Sequence, residues 1–182
     1  LPLFSGKARF FGSIGGSEGK TVGRMNITIP HAIFGTVPAG TITGSVDLAD
    51  ETVAFLLRGV DTGLVMRAHG AVTGLFSRCP QARCSLAVRA RKEYRPFAPP
   101  FQPDSLNLYG VVQGWVSSFS GRLHATAYSS HIHGTLVAEV DRPQDTLRPL
   151  AWRLSGVQCA VNGVPLPCVG VGRIYRDSLC VD

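Results

Sequence analysis

The segment SLAVRAR, at residues 85–91, alternates apolar and polar side chains one by one. Leu86, Val88 and Ala90 occupy every second position, and Arg89 and Arg91 lie between and after them. Successive side chains of a β-strand point to opposite faces, so this pattern predicts a strand that is buried on one side. The two arginines would then project into solvent.

Short runs of the same kind recur along the 182 residues, separated by Gly, Pro, Asn and Asp. They predict ten or eleven strands, and no helical segments lie between them, so the sheets should be mostly antiparallel. The predicted fold class is all-β, either an antiparallel β-sandwich or a strongly coiled β-barrel, with at most one short helix. That helix is expected in ADETVAFLLRG at residues 49–59, where Asp50 suits a helix start and Gly59 a helix end.

Four segments share the pattern Gly-x-apolar-x-Gly, and they begin at Gly12, Gly40, Gly70 and Gly110. In a strand the three residues of each pattern share one face, so a large side chain lies between two bare stretches of backbone. Glycines at such positions permit bulges and tight coiling of a sheet. The repeats therefore favour strongly curved strands.

Four prolines fall within RPFAPPFQPDS at residues 95–105. Proline cannot donate a hydrogen bond to a neighbouring strand, so this stretch predicts a loop. We interpret it as a long connection inside a single all-β domain spanning residues 1–182. Two smaller domains on either side would each need a core of their own.

The net charge of +6 is concentrated in one window, residues 78–95. The basic stripe of this window consists of Arg89, Arg91, Lys92 and Arg95, with Tyr94 as an aromatic contact. Arginine binds phosphate, sulfate and carboxylate groups bidentately, so the stripe predicts an acidic protein or an anionic glycan as partner. A solvated edge strand would carry similar charges. The window lacks the alternating basic and aromatic pattern of an RNA-binding sheet, which argues against nucleic acid.

Three histidines form the candidate metal site. His131 and His133 are two residues apart and would share one strand face, and His124 lies on the preceding strand. Imidazole nitrogens with Glu139 as a carboxylate partner could bind zinc or another transition metal. The alternative is a pair of hydrogen-bonded or solvent-facing histidines, and we expect no cofactor.

Five cysteines are present, and two pairs bracket short loops. Cys79 and Cys84 enclose one loop, whereas Cys159 and Cys168 flank a hairpin signal at Asn162 and Gly163. We expect disulfides in both loops, with Cys180 left over; reduced, buried thiols are the alternative. A glycosylation triplet at Asn26 and a first residue other than Met add to this argument. Together they favour an extracellular or virion-surface location.

No nucleophile turn, phosphate loop or dinucleotide motif is present in the chain. The sequence therefore favours a non-enzymatic recognition or structural module that binds its partner through the basic stripe. A β-barrel carrier of an apolar small ligand is one alternative, and a metal-dependent enzyme built on the histidines is another. No apolar run is long enough for a membrane-spanning helix, and the many strand edges would allow a homo-oligomer.

Overall fold

A computed structural model describes residues 4–17, 20–34, 37–94, 104–115, 118–142, 150–165, 169–174 and 179–181. Fourteen strands make up the regular structure of these ranges, and no helix occurs in them. The all-β prediction is confirmed. Within the same ranges, no helix is long and apolar enough to cross a membrane.

The strands are β1 (Phe4–Ser5), β2 (Arg9–Ser17), β3 (Lys20–Phe34), β4 (Val37–Ala49), β5 (Thr52–Asp61), β6 (Leu64–Thr73), β7 (Gln81–Arg91), β8 (Ser105–Trp115), β9 (Ser118–Tyr128), β10 (Ile132–Arg142), β11 (Leu150–Val161), β12 (Val164–Pro165), β13 (Val169–Ile174) and β14 (Leu179–Val181). They form one sheet in which β3 to β11 pair with their sequence neighbours. Every described pairing is antiparallel, as predicted. β1 and β2 both pair with β3, β12 and β13 both pair with β11, and β14 follows β13.

The predicted helix at residues 49–59 is wrong, because this stretch ends one strand and forms most of the next. Val53, Phe55 and Leu57 alternate along β5 and share one face, and Phe55 pairs with Val46 of β4 and Gly70 of β6. Two flanking strands thus satisfy the backbone of β5, and pairing overrides the local helix signals. Asp50 has a positive φ of 52° and lies in the β4–β5 turn.

The two faces of the sheet differ in polarity. Residues that pair across neighbouring strands lie on the same face. The apolar face includes Ile42, Leu57, Met66, Leu86, Val88, Leu106 and Leu108. The polar face includes Arg58, Arg67, His69, Ser85, Arg89, Asn107 and His124.

Two clusters of buried side chains lie on the apolar face near one end of β4 to β7. Ala32, Ala39 and Ile42 form one cluster of buried side chains, and Met66 packs against it. Leu64, Ala90 and Tyr94 form a second cluster, against which Met66 also packs. No large side chain of the described residues is fully buried. The core that these two clusters form is therefore small.

Tyr94 closes that end of the apolar face. After β7 the chain turns, and the Arg91 amide donates to the Gly63 carbonyl oxygen at 2.8 Å in the β5–β6 turn. The Tyr94 hydroxyl then donates to the carbonyl oxygen of Pro38 in β4. In a flat sheet β4 and β7 would lie about 14 Å apart, since neighbouring strands are spaced by about 4.8 Å. Residues 92–94 therefore cross the end of β5 and β6.

The repeated glycines lie on the apolar face, where neighbouring backbones approach closely. A Cβ atom added at Gly44 would collide with the carbonyl oxygen of Leu56, and one added at Gly12 would collide with that of Arg24. Only glycine fits such an approach without a shift of the adjacent strand. The strong curvature expected from the glycine pattern stays a prediction.

Residues 95–103 of the proline-rich stretch lie outside the described residues. Asp104 donates its amide to the Tyr128 carbonyl oxygen at 2.8 Å. β8 begins at Ser105, so the last residue of the predicted loop belongs to a strand. The single-domain organisation of residues 1–182 stays a prediction.

Candidate anion-binding site

β7 displays the alternation expected from its sequence. Ala90 is buried on the apolar face, and Arg89 and Arg91 are exposed on the polar face. β7 pairs with β6 on one side and β8 on the other. Its arginines therefore project from the middle of a sheet face, whereas edge protection would place them on an outer strand.

Two further arginines stand beside them on the polar face. Arg58 of β5 pairs directly with Arg67 of β6. Arg67 pairs with Ala87 of β7, and Arg89 lies two residues further along the same strand and face. We call Arg58, Arg67, Arg89 and Arg91 the arginine cluster.

The register sets the spacing within the arginine cluster. Directly opposed residues such as Arg58 and Arg67 have Cβ atoms about 5 Å apart, and diagonal neighbours such as Arg67 and Arg89 about 7–8 Å. Like charges that face each other across two strands destabilise the pairing. Their guanidinium groups are exposed, so solvent screening reduces this cost. An anion bound between the arginines would remove the repulsion that remains.

The four guanidinium groups line a hollow of about 510 Å³, together with Asp61 and small or apolar side chains. In the described part of the chain, the ion pairs are Arg24 to Asp47 at 2.9 Å and Arg122 to Glu139 at 3.4 Å. Neither pair includes an arginine of the cluster. The hollow thus presents four arginines that form no ion pair with a described carboxylate, although Asp61 adds one negative charge to the lining. Arginine side chains in this state can bind oxyanions through their forked donors.

The basic stripe expected from the sequence is only partly brought together. Arg89 and Arg91 line the hollow, whereas Lys92 lies exposed in the following turn. Arg95 lies outside the described residues. The sequence missed Arg58 and Arg67 because they belong to other strands. The sequence does contain a signal for these two arginines. A two-residue turn at Thr62 and Gly63 pairs the strand residues on either side of it one by one, and the fourth pair from the turn is Arg58 with Arg67.

Tyr94 is not a contact of the basic stripe, and this prediction is wrong. Only 8% of the residue is exposed, and it packs against the apolar cluster of Leu64 and Ala90. The turn after β7 reverses the chain and carries the ring to the apolar side. Burial raises the pKa of the Tyr94 hydroxyl, and the negative charge of Asp61 raises it further.

The histidines do not converge on one point. His133 and His124 lie on the same face, but His124 pairs with Val137, four residues beyond His133 and therefore about 13 Å along the strand. His131 donates from Nδ1 to Oδ1 of Asn162 at 2.9 Å, and Glu139 pairs with Arg122. No three His, Cys, Asp or Glu side chains of the described ranges could hold a metal ion. The predicted metal site is therefore not formed in this part of the chain.

The predicted bridge between Cys79 and Cys84 is also not formed, since both are free thiols. Cys84 lies on the apolar face of β7, and its Sγ packs beside Gly70 of the neighbouring strand, away from the loop that holds Cys79. Burial raises the pKa of the Cys84 thiol. The Cys159 thiol donates to the Thr135 carbonyl oxygen at 3.5 Å. Cys168 lies outside the described residues, so its pairing with Cys159 stays a prediction.

The apolar face carries a second hollow, of about 380 Å³. Its lining comes from β4 to β8, including Ile42, Leu57, Met66 and Val88, and from Tyr94 in the turn after β7. None of the described residues that line it is charged. The hydroxyl of Tyr94 is the one polar side-chain group in the described part of the lining, and it donates to the carbonyl oxygen of Pro38.

Comparison of the chain with protein-family models, with curated proteins and with solved structures finds no match.

Proposed function

We propose that the chain is a non-enzymatic recognition module whose arginine cluster binds an anionic glycan. The observation that carries this proposal is the convergence of four arginines from three adjacent strands on one hollow. No described carboxylate pairs with any of them. Such a surface attracts polyanions from a distance and binds their oxyanions at contact.

A glycan is favoured over an acidic protein by what surrounds the arginines. Among the residues that the structure describes, the remaining lining of the hollow is Asp61, Gly63, Leu64, Val65 and Ala87, and none of these is aromatic. Protein interfaces concentrate their binding energy in buried aromatic and arginine anchors. A row of exposed arginines about 5–8 Å apart instead suits a chain that repeats sulfate or carboxylate groups.

The direct test is heparin binding measured over a series of NaCl concentrations. The double variant Arg67→Gln with Arg89→Gln removes two central members of the cluster. Arg83→Gln is the matched control, because Arg83 lies on the same strand and face but beside Ala71 and Gln113. We expect at least a tenfold loss of affinity for the double variant and less than a twofold loss for the control.

The wild-type affinity should also fall as the salt concentration rises, because binding releases counterions. Affinity that does not change with salt, or an equal loss in the control and the double variant, would overturn the proposal. Polyglutamate serves as a protein-like polyanion of matched charge. Tighter binding to polyglutamate than to heparin would replace the glycan with an acidic protein.

A second candidate function is transport of a neutral apolar small molecule in the hollow on the apolar face. Its volume of about 380 Å³ falls in the usual range of small-molecule sites, about 300–1,000 Å³. This candidate function requires that the single sheet coils strongly around the ligand. It does not fit a sandwich of two separate sheets. Ala68→Phe should fill the hollow and abolish uptake of an apolar fluorescent dye. Ala71→Phe, on the polar face of the same strand, should not.

An extracellular or virion-surface location is part of the main proposal. Asn26 of the glycosylation triplet is exposed on the polar face of β3, so its side chain is accessible. A glycan chain found on Asn26 after expression in a secreting eukaryotic cell would support this location.

A further inference from the structure

β2 lies at an edge of the sheet that the described strands form. It pairs with β3 on one side, and none of the described strands pairs with its other side. All nine of its residues are exposed. The exposed fractions are 59% for Phe10, 82% for Phe11 and 77% for Ile14. Natural edge strands are usually short, bent, proline-containing or charged, whereas β2 is long and carries a single charge at Arg9.

The whole chain also exposes far more surface than a compact monomer of its mass. Its accessible surface is 12,745 Å². A folded monomer of 19.4 kDa exposes roughly 8,500 Å². The surplus is about 4,000 Å² for one chain, whereas each copy in an obligate dimer buries about 1,000–2,500 Å². A second copy of the chain could therefore cover part of this surplus.

We propose that β2 pairs with β2 of a second copy, antiparallel and with Ser13 on the two-fold axis. The sequence RFFGSIGGS is complementary to itself in this register. Arg9 then faces Ser17, Phe10 faces Gly16, Phe11 faces Gly15 and Gly12 faces Ile14. Each large side chain is opposite a small one, and each pair occurs twice by symmetry.

The geometry at Gly15 supports this register. Nothing lies within 4 Å of the position that a Cβ atom of Gly15 would occupy. An aromatic ring from the partner copy could lie there, and aromatic side chains often cover strand glycines in this way. The open backbone groups of both edges would form hydrogen bonds across the axis. Phe10 and Ile14 lie on the apolar face, so that face would continue from one copy to the next.

The mass of the protein in solution tests the association. We expect light scattering after size exclusion to give about twice the chain mass of 19.4 kDa at micromolar concentrations. Phe11→Asp places a charge in the pairing and should give a monomer with an unchanged strand spectrum by circular dichroism. Phe76→Asp is the matched control, because Phe76 is 74% exposed but lies in the β6–β7 loop, and it should stay dimeric.

A monomeric wild type would overturn the proposal. In that case β2 either pairs with another strand of its own chain or stays unpaired. A Phe11→Asp variant that stays dimeric would do the same. Cross-linking then tests the register. Ser13→Cys should form a covalent dimer under mild oxidation, whereas Ser17→Cys, opposite Arg9, should not exceed the wild-type background. Cross-linking of Ser17→Cys in preference to Ser13→Cys would exclude the two-fold axis at Ser13.

Discussion

Tyr94 connects three strands with a single side chain. Its backbone follows β7, its ring packs against Leu64, and its hydroxyl reaches Pro38 at the start of β4. From sequence its position beside Arg91 and Lys92 suggested a ligand contact. The turn that carries it to the other side of the sheet depends on Gly63, whose neighbour in space is the Tyr94 amide. That long-range contact could not be read from the local pattern.

The raised pKa of Tyr94 predicts a loss of stability in alkali. The neutral hydroxyl is favoured in the folded state, first because burial penalises the phenolate and then because Asp61 repels it. This contribution is fully present below about pH 10, the ordinary tyrosine value, and is lost as the pH rises through the higher folded value. At pH 7, Tyr94→Phe should lower the free energy of unfolding by about 1 kcal/mol through the lost hydrogen bond.

We therefore expect the difference between wild type and Tyr94→Phe to shrink between pH 7 and pH 11. Urea unfolding at both pH values measures it. Tyr109→Phe is the control, because it removes a tyrosine that is 53% exposed. The free energy of unfolding of this variant should change between pH 7 and pH 11 as much as that of the wild type does. A difference that stays constant or widens with pH would contradict this account of Tyr94.

Gly63 allows a second prediction at the same scale. Its φ is +72°, and an added Cβ atom would lie 2.7 Å from the Tyr94 amide nitrogen. Gly163 has a similar φ of +78° in the β11–β12 turn, but nothing lies within 4 Å of its Cβ position. Gly163→Ala should therefore cost about 1 kcal/mol of backbone strain, and Gly63→Ala should cost more. Chemical denaturation measures both, and equal costs would show that Tyr94 moves aside freely.

At the scale of the element, the β5–β6 hairpin places two like charges opposite each other. Arg58 and Arg67 gain nothing for folding from this arrangement, because no described carboxylate pairs with either. Arg58→Gln should raise the free energy of unfolding by about 0.3 kcal/mol, since it removes a repulsion that solvent largely screens. The same variant should weaken heparin binding severalfold.

Opposite effects on stability and affinity would mark Arg58 as a residue retained for binding. Urea unfolding and heparin titration of the same protein sample measure the two effects together. A loss of stability above 1 kcal/mol would instead show that Arg58 supports the hairpin. Arg83→Gln again provides the control for a general change of charge on this face.

Individual strands were predictable where alternation dominates, and β7 is the clearest case. β5 was not, because Asp50, Glu51 and Gly59 are also helix signals and only pairing with β4 and β6 decides between the two. The arginine cluster was half predictable for a related reason. Arg89 and Arg91 lie within one strand, whereas Arg58 joins them only through the register of three strands.

At the scale of the molecule, one sheet with two unlike faces explains both hollows. The alternation of each strand separates arginines from aliphatic side chains, and antiparallel pairing aligns the same separation across β4 to β8. The sequence predicted this two-sided character for residues 85–91, but for the central strands as a whole it predicted two faces that are both partly buried. It could not predict how far the sheet curls, because curvature depends on close approaches between backbones, such as that of Gly44 to Leu56.

The surface that the sheet leaves exposed leads to the final prediction. If two copies pair through β2, association stabilises the folded chain, so stability must depend on protein concentration. The urea midpoint of the wild type should rise between about 1 and 100 μM, because unfolding releases two chains from one dimer. Phe11→Asp should show a midpoint that does not change over this range, and Phe76→Asp should behave as the wild type does. A wild-type midpoint that is independent of concentration would mean that the edge at β2 is not used for pairing between copies.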